Sequence, residues 1–227
     1  MNIRKDISYM EKRNRQALLK FIEENGGDIK QTINWEDTER GRNYNLLIPA
    51  PILEMDLSFN SKIILGLIHT SVKKIGEMRM TNKRIAKYLC LSENTVSTTM
   101  RNLIELTFIE KRDKGYILSN EVVEAVESRK ERAILLPFEI FHSKLPPGAK
   151  ILWGEYNSLS KGVKPYNKTN EFISKRLNIG KSTITMFTKR LHKDGFLTKY
   201  DVYSDYEFKE RIVITKIFKR NKKDAGQ

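Results

Sequence analysis

The hydrophobic and polar positions between Leu46 and Lys111 recur between Ile134 and Lys199 with a constant offset. Thr81-Asn82, Ile85, Leu89, Leu91, Thr95-Val96, Leu103 and Phe108-Ile109 return 88 residues later as Thr169-Asn170, Ile173, Leu177, Ile179, Thr183-Ile184, Leu191 and Phe196-Leu197. The match extends upstream through Pro49 and Pro137, Ile52 and Ile140, Leu57 and Leu145, and Lys62-Ile63 and Lys150-Ile151. A period this long predicts a duplicated domain rather than a solenoid of short repeats. Within each copy the apolar spacing is helical. The first helix of the first copy should start near Ser58 and bury Ile63, Ile64, Leu67, Ile68 and Val72. Its counterpart should start at Pro146-Pro147 and bury Ile151, Leu152, Trp153, Tyr156 and Leu159.

Thr81 and Thr169 are natural N-caps for second helices, which end in the turns Cys90-Leu91-Ser92 and Asn178-Ile179-Gly180. Third helices follow, from about Glu93 to Leu106 and from Lys181 to Asp194, with Val96, Met100, Leu103 and Ile184, Phe187, Leu191 facing a core. Phe108 to Lys111 and Tyr116 to Leu118 predict a short hairpin. Phe196 to Val202 and Arg211 to Phe218 predict a longer one with a polar tip at Tyr203 to Lys209. Each copy therefore spells a helix-turn-helix followed by a wing, and the expected fold class is mainly α with small β-wings in two tandem winged-helix domains.

Outside the repeats, Ile7, Met10, Ala17, Leu18, Phe21 and Ile22 recur at helical spacing before Gly26-Gly27, which predicts an amphipathic helix over about Asp6 to Asn25. Its apolar face either packs on the first winged domain or forms a homodimer contact with Asn14 in the seam. Glu121 to Arg132 predicts a charged connecting helix. The expected organisation is an N-terminal helix and linker over 1–45, winged domains over 46–118 and 134–219, the connecting helix over 119–133, and a basic disordered tail over 220–227.

Charge sharpens this picture. The chain of 227 residues carries a formal charge of +14, and residues 134–227 hold +10 of it. Such a surface favours a polyanionic partner, because nucleic acid releases condensed counterions when basic side chains bind it. The single cysteine, Cys90, excludes an intramolecular disulfide and a multi-cysteine zinc site, and suits a reducing cytoplasm. The apolar stretch around Ile63 to Val72 is too short and interrupted to cross a bilayer, and Met1-Asn2-Ile3-Arg4-Lys5-Asp6 lacks the apolar core of a secretory signal. A cytoplasmic protein with no membrane partner is the expectation.

The exposed face of a third helix reads the major groove in this architecture, while flanking cations grip phosphates. The candidates are Asn94, Thr95, Ser97, Thr98, Arg101 and Asn102 in the first copy, and Ser182, Thr183, Thr185, Met186, Lys189 and Arg190 in the second. Arginine pairs bidentately with guanine, asparagine with adenine, and Met186 could meet a thymine methyl. Lys111, Arg112, Lys114, Lys199, Lys209 and Arg211 on the wings would reach flanking phosphates. Glu93 offsets the positive end of its own helix, whereas Gly180-Lys181-Ser182 places a cation there and leaves amides open to a phosphate. This predicts that the second copy supplies most of the affinity.

At Pro137 to Leu145, Lys150-Ile151-Leu152-Trp153, Thr169-Asn170 with Ile173, and Thr183 to Phe196, the sequence resembles the winged helix-turn-helix domain of phage and plasmid replication proteins. The paired copies look like the tandem architecture of plasmid replication initiators, which implies binding to repeated origin sites. The family pattern places glycine after the third helix. Gly195 fits; Thr107 departs, which leaves the first wing's angle open.

The resulting expectation is a sequence-specific double-stranded DNA-binding protein of a phage, plasmid or other mobile element, acting as replication initiator or transcriptional regulator. Replication or transcription machinery would be a further partner. The alternative is a winged-helix interaction module that does not touch DNA. An enzyme is not expected: His69, His142 and His192 are isolated, and neither a phosphate-binding glycine loop nor a clustered carboxylate set appears. No cofactor or metal is expected.

Overall fold

Side-chain caps mark where four of the described helices begin. In a computed structural model describing residues 45–113, 115–129, 131–205 and 208–218, with side chains of 201–211 outside the description, Ser58 Oγ accepts from the Ser61 amide at 3.1 Å. Thr81 Oγ1 does the same for Arg84 at 3.3 Å, and Thr169 Oγ1 for Phe172 at 3.2 Å. Each satisfies an amide that the first helical turn would leave orphaned. The predicted helix over Asp6 to Asn25, with its linker, and the tail from 219 lie outside the described residues.

The first half runs through β1 (Asn45–Ile48), a short helix α1 (Ala50–Glu54), α2 (Phe59–Ile75), α3 (Asn82–Leu89), α4 (Glu93–Glu105) and the hairpin β2 (Ile109–Lys111) and β3 (Tyr116–Leu118). After α5 (Asn120–Ser128) the order returns as β4 (Ile134–Pro137), α6 (Phe138–Phe141), α7 (Pro147–Ser160), α8 (Asn170–Leu177), α9 (Lys181–Lys193) and the hairpin β5 (Leu197–Asp205) and β6 (Phe208–Thr215). The described residues are mainly helical, with three small antiparallel sheets of two strands each. Both halves belong to one compact unit, Arg42–Gln227.

The turns between second and third helices repeat to the level of the backbone. Cys90 and Asn178 both adopt the left-handed conformation, with φ of 52° and 54°. The third helices end alike as well. Thr107 has φ of 56° and Gly195 of 75°; Phe108 N donates to Leu103 O and Phe196 N to Leu191 O, both at 2.9 Å. Thr107 therefore reproduces the glycine turn, so the two hairpins leave their third helices in the same manner. Holding a non-glycine residue there costs about 1–2 kcal/mol. Each hairpin also gains a bridge from the loop after the first helix. Met78 N donates to Tyr116 O at 2.9 Å, and Tyr166 N to Val213 O at 2.9 Å.

The packing of one half against the other was not legible in the sequence. β1 pairs with β4 antiparallel, with Leu46 opposite Leu136, Leu47 opposite Leu135 and Ile48 opposite Ile134. Under the 88-residue offset the first and last of these pairs exchange, and Leu47 with Leu135 maps onto itself. The buried Lys62 donates from Nζ to Leu53 O at 2.7 Å and to Leu177 O at 3.0 Å. Its counterpart Lys150 donates to Phe141 O at 2.8 Å and to Leu89 O at 2.7 Å. Each lysine holds its own half and the end of the other half's second helix. Such reciprocal contacts are isologous, the signature of a two-fold axis, here within one chain and passing through the Leu47 and Leu135 pair.

Close packing of the first helices on these strands needs glycine. A β-carbon on Gly66 would lie 2.6 Å from Ile48 Cγ1, and one on Gly154 2.6 Å from Leu136 Cδ2. The core is continuous across both halves, from Leu46, Ile52 and Leu67 to Ile134, Trp153 and Leu191.

Two predicted boundaries are corrected. The connecting helix stops at Ser128 rather than Arg132, and Arg129 is extended with φ of −116°. The backbone there is drawn off by side chains: Arg129 Nη1 bonds Glu54 Oε2 at 2.8 Å, and Arg132 Nη2 reaches the fully buried Glu155 at 2.5 Å. The second hairpin also extends further towards its tip than the predicted strands, to the pair Asp205 and Phe208, with a bulge between Leu197 and Lys199. Tip polarity does not oppose pairing in a two-stranded ribbon.

Candidate nucleic-acid interface

On α4, Val96, Thr99, Met100 and Leu103 are buried. The opposite stripe consists of Asn94, Thr98, Arg101 and Asn102, all exposed, with Thr95 and Ser97 half-buried at its edges. On α9, Ile184, Phe187, Thr188 and Leu191 are buried. Its outward stripe is Ser182, Met186, Lys189 and Arg190, again exposed, with Thr183 and Thr185 half-buried. The spacing i, i+4, i+7, i+8 places each set on one face. Met186, 57% exposed, stands apolar on an otherwise polar surface.

Some candidates have structural work as well. Thr95 Oγ1 lies 2.7 Å from Ser92 Oγ, whose oxygen caps α4 by accepting from Thr95 N at 3.0 Å. Ser97 Oγ accepts from Asn82 Nδ2 at 3.1 Å, so the start of α3 braces the face of α4. Thr185 Oγ1 donates to Lys181 O at 3.2 Å. Arg190 pairs with Asp194 at 2.5 Å, and Lys181 lies 3.8 Å from Glu171. Both ion pairs are open to solvent, where such pairs contribute little and exchange readily for another anion.

The two helix starts differ as their sequences suggest. Ser92 caps α4 with its hydroxyl, whereas Gly180 makes no side-chain cap bond at α9. The first amides of α9 thus lack the side-chain acceptor that α4 has, beside the exposed cation of Lys181. On the hairpins, Lys111 and Arg112 are exposed, and Arg112 pairs with Glu110 at 2.8 Å. Lys199 is exposed and already engaged within the chain. Lys209 and Arg211 lie on β6 with side chains outside the description, and Lys114 lies outside the described residues.

Beneath this surface are groups that the sequence reading did not single out. Burial lowers the pKa of Lys62 to about 8 against the opposing pull of Asp56, and that of Lys150 to about 8 against Cys90. Glu155 accepts from Arg176 Nε at 2.8 Å, from Tyr166 Oη at 2.8 Å and from Arg132, while Arg176 also bonds Arg132 O. Burial, reinforced by Glu155, pushes the Tyr166 hydroxyl well above its ordinary range. Recurrence of Lys62 as Lys150 was the available signal for the first pair. For Glu155 it was a carboxylate standing where the first copy has Leu67.

The isolated histidines and the cysteine fall into structural places. His69 is buried, and its pKa is lowered by burial and Lys73 against a Leu47 backbone bond. His192 is exposed and meets Tyr200 edge-on. Cys90 Sγ donates to His142 O at 2.8 Å. Among the described residues, no group of three or more metal-ligating side chains forms, and no helix is long and apolar enough to cross a membrane.

The family model for Firmicute plasmid replication proteins, RepL, matches residues 10–145, more than half of the chain. The chain belongs to that family. No curated protein matches it. The RepL match covers the whole first half, α5 and the start of the second half as far as Leu145. The α7 to β6 segment follows beyond it and repeats the RepL-matched region at the 88-residue offset. This protein is therefore a plasmid replication protein, in agreement with the resemblance carried by its repeated motifs.

Proposed function

We propose that this RepL-family protein is a double-stranded DNA-binding replication initiator, built as tandem winged-helix domains over 46–118 and 134–219 joined by the segment 119–133. The observation that carries the reading is the equivalence of the α4 and α9 stripes. Two helices, each preceded by a capped helix and a tight left-handed turn and followed by a hairpin, expose side chains at the same four positions, all polar or cationic except Met186. Membership of a plasmid replication family and the charge of +14 make DNA the fitting partner.

Asn94, Thr98, Arg101 and Asn102 would meet base edges in one half-site, and Ser182, Met186, Lys189 and Arg190 in the other. Thr95, Ser97, Thr183 and Thr185 border these faces, and Lys111, Arg112, Lys114, Lys199, Lys209 and Arg211 would hold flanking phosphates. The open amides of α9 beside Lys181 suit a phosphate oxygen. The protein acts by binding rather than catalysis, in the cytoplasm, and recruits replication machinery to the bound origin. Residues 6–25 are the proposed homodimer contact, which would join two chains that each hold a site of their own.

Gel-shift titration against fragments of the source plasmid tests the reading. Tight binding that survives excess random DNA and concentrates on the origin fragment is expected, together with loss of plasmid replication in the Arg101→Ala/Arg190→Ala variant. Equal, weak binding to every fragment at moderate salt would leave the interaction-module reading instead.

A further inference from the structure

The internal two-fold axis dictates how two half-sites can be arranged. Leu46, Leu47 and Ile48 pair with Leu136, Leu135 and Ile134 in a register that the 88-residue offset maps onto itself. Lys62 reaches Leu177 O as Lys150 reaches Leu89 O. A rotation carrying the first half onto the second therefore carries the second back onto the first, which a simple translation along the chain would not do. The second reading helix also lies against the other half, since Phe187 of α9 meets Phe59 edge-on with ring centres 6.3 Å apart. The halves are fixed to each other by buried bonds and a shared core, so their reading helices cannot be reoriented independently.

We infer that one chain addresses two inverted half-sites on a single duplex, the centre of the site lying on the axis through Leu47 and Leu135. This rests on the DNA-binding reading above. If both halves dock in the same way, the rotation relating them must also relate the DNA segments they hold, and a duplex has dyads of this kind only across an inverted arrangement. A direct repeat would require a translation between the halves, which the reciprocal lysine bonds exclude. The site is an imperfect palindrome. Asn94, Thr98, Arg101 and Asn102 stand opposite Ser182, Met186, Lys189 and Arg190, so the two arms should differ in base sequence while sharing orientation.

Selection from a random duplex library with the full-length chain tests this, followed by titration of synthetic probes and a measurement of chains per probe. The expected product has two inverted elements about one helical turn apart, roughly 10 base pairs between centres, occupied by one chain. Inverting one arm to make a direct repeat should weaken binding at least about tenfold. Lys189→Ala/Arg190→Ala should erase sequence preference in one arm, and Arg101→Ala/Asn102→Ala in the other. Selected sites holding direct repeats, a single element, or one chain on each arm would overturn the inference while leaving DNA binding intact. Failure to select any sequence would overturn the DNA-binding reading itself.

Discussion

The two halves share a scaffold and differ in what that scaffold displays. Lys62 and Lys150 make the same pair of buried bonds, Gly66 and Gly154 allow the same close approach, and Cys90 and Asn178 take the same turn. Yet Ser92 faces Gly180 at the start of the third helix, Leu67 faces Glu155 inside the first, and Arg101-Asn102 face Lys189-Arg190 on the surface. Repetition holds where one half grips the other. Divergence appears inside the fold at Leu67 and Glu155, and on the outward stripes that meet solvent and, in our reading, DNA. The comparison separates residues that maintain geometry from residues that, on the proposed function, would set affinity and sequence preference.

The largest effect should come from the interior of the second half. Glu155→Leu copies the first half's residue but strands Arg176, and breaking such a buried ionic contact costs about 3–5 kcal/mol. Adding Arg176→Tyr, the residue found at Tyr88, should recover part of that loss. Urea denaturation of the single and double variants measures both, and an unaltered midpoint in Glu155→Leu would show the cluster to be dispensable.

Next come the reciprocal lysines. Lys62→Met and Lys150→Met each leave two buried carbonyls without their donor, at a cost of about 2 kcal/mol. The symmetry predicts similar losses for the two. Their titration has a definite sign. The pKa in the fold is near 8 and the ordinary value 10.5, so the unfolded chain binds more protons between these values. Their contribution to stability is greatest above about 10.5 and is lost as pH falls through about 8. Denaturation at pH 7.5 and 9.5 should show the native sequence gaining on the double Met variant at the higher pH; parallel curves would contradict the assignment.

Reversing Lys181, Lys189 and Arg190 to glutamate should weaken DNA binding at least about tenfold more than reversing Arg101, Lys111 and Arg112. Each lost phosphate contact should lower the slope of log K against log salt by about one. Equal losses would remove the proposed dominance of the second half. The smallest effect concerns the turn into each hairpin: Thr107→Gly should stabilise by about 1 kcal/mol or less, and Gly195→Thr should cost about as much. Thermal melts of the two variants should move in opposite directions.

Much of the scaffold was legible because it is written in local chemistry. Helical spacing located α2, α4, α7 and α9, and hydroxyl residues marked the starts of α2, α3 and α8. The exposed stripes followed from the same periodicity, and every candidate on α4 and α9 lies on the outward face or its edge. The pairing of β1 with β4 was hidden because a strand of four residues bears no record of a partner nearly ninety residues away. The buried lysines were hidden for a related reason: a lysine on a helix reads as solvated unless the carbonyls it meets are known. Thr107 shows the converse, a residue with poor intrinsic preference for a left-handed turn that the surrounding helix and hairpin nevertheless impose.

The most direct test of the account is a hydroxyl-radical footprint of the full-length protein on its selected duplex, repeated with Lys189→Ala/Arg190→Ala. Two protected patches on one face of the DNA, about one turn apart, are predicted, with protection in one patch weakened by the variant. A single patch for the native protein, or equal weakening of two patches by the variant, would contradict a pair of distinct reading faces joined by an internal two-fold.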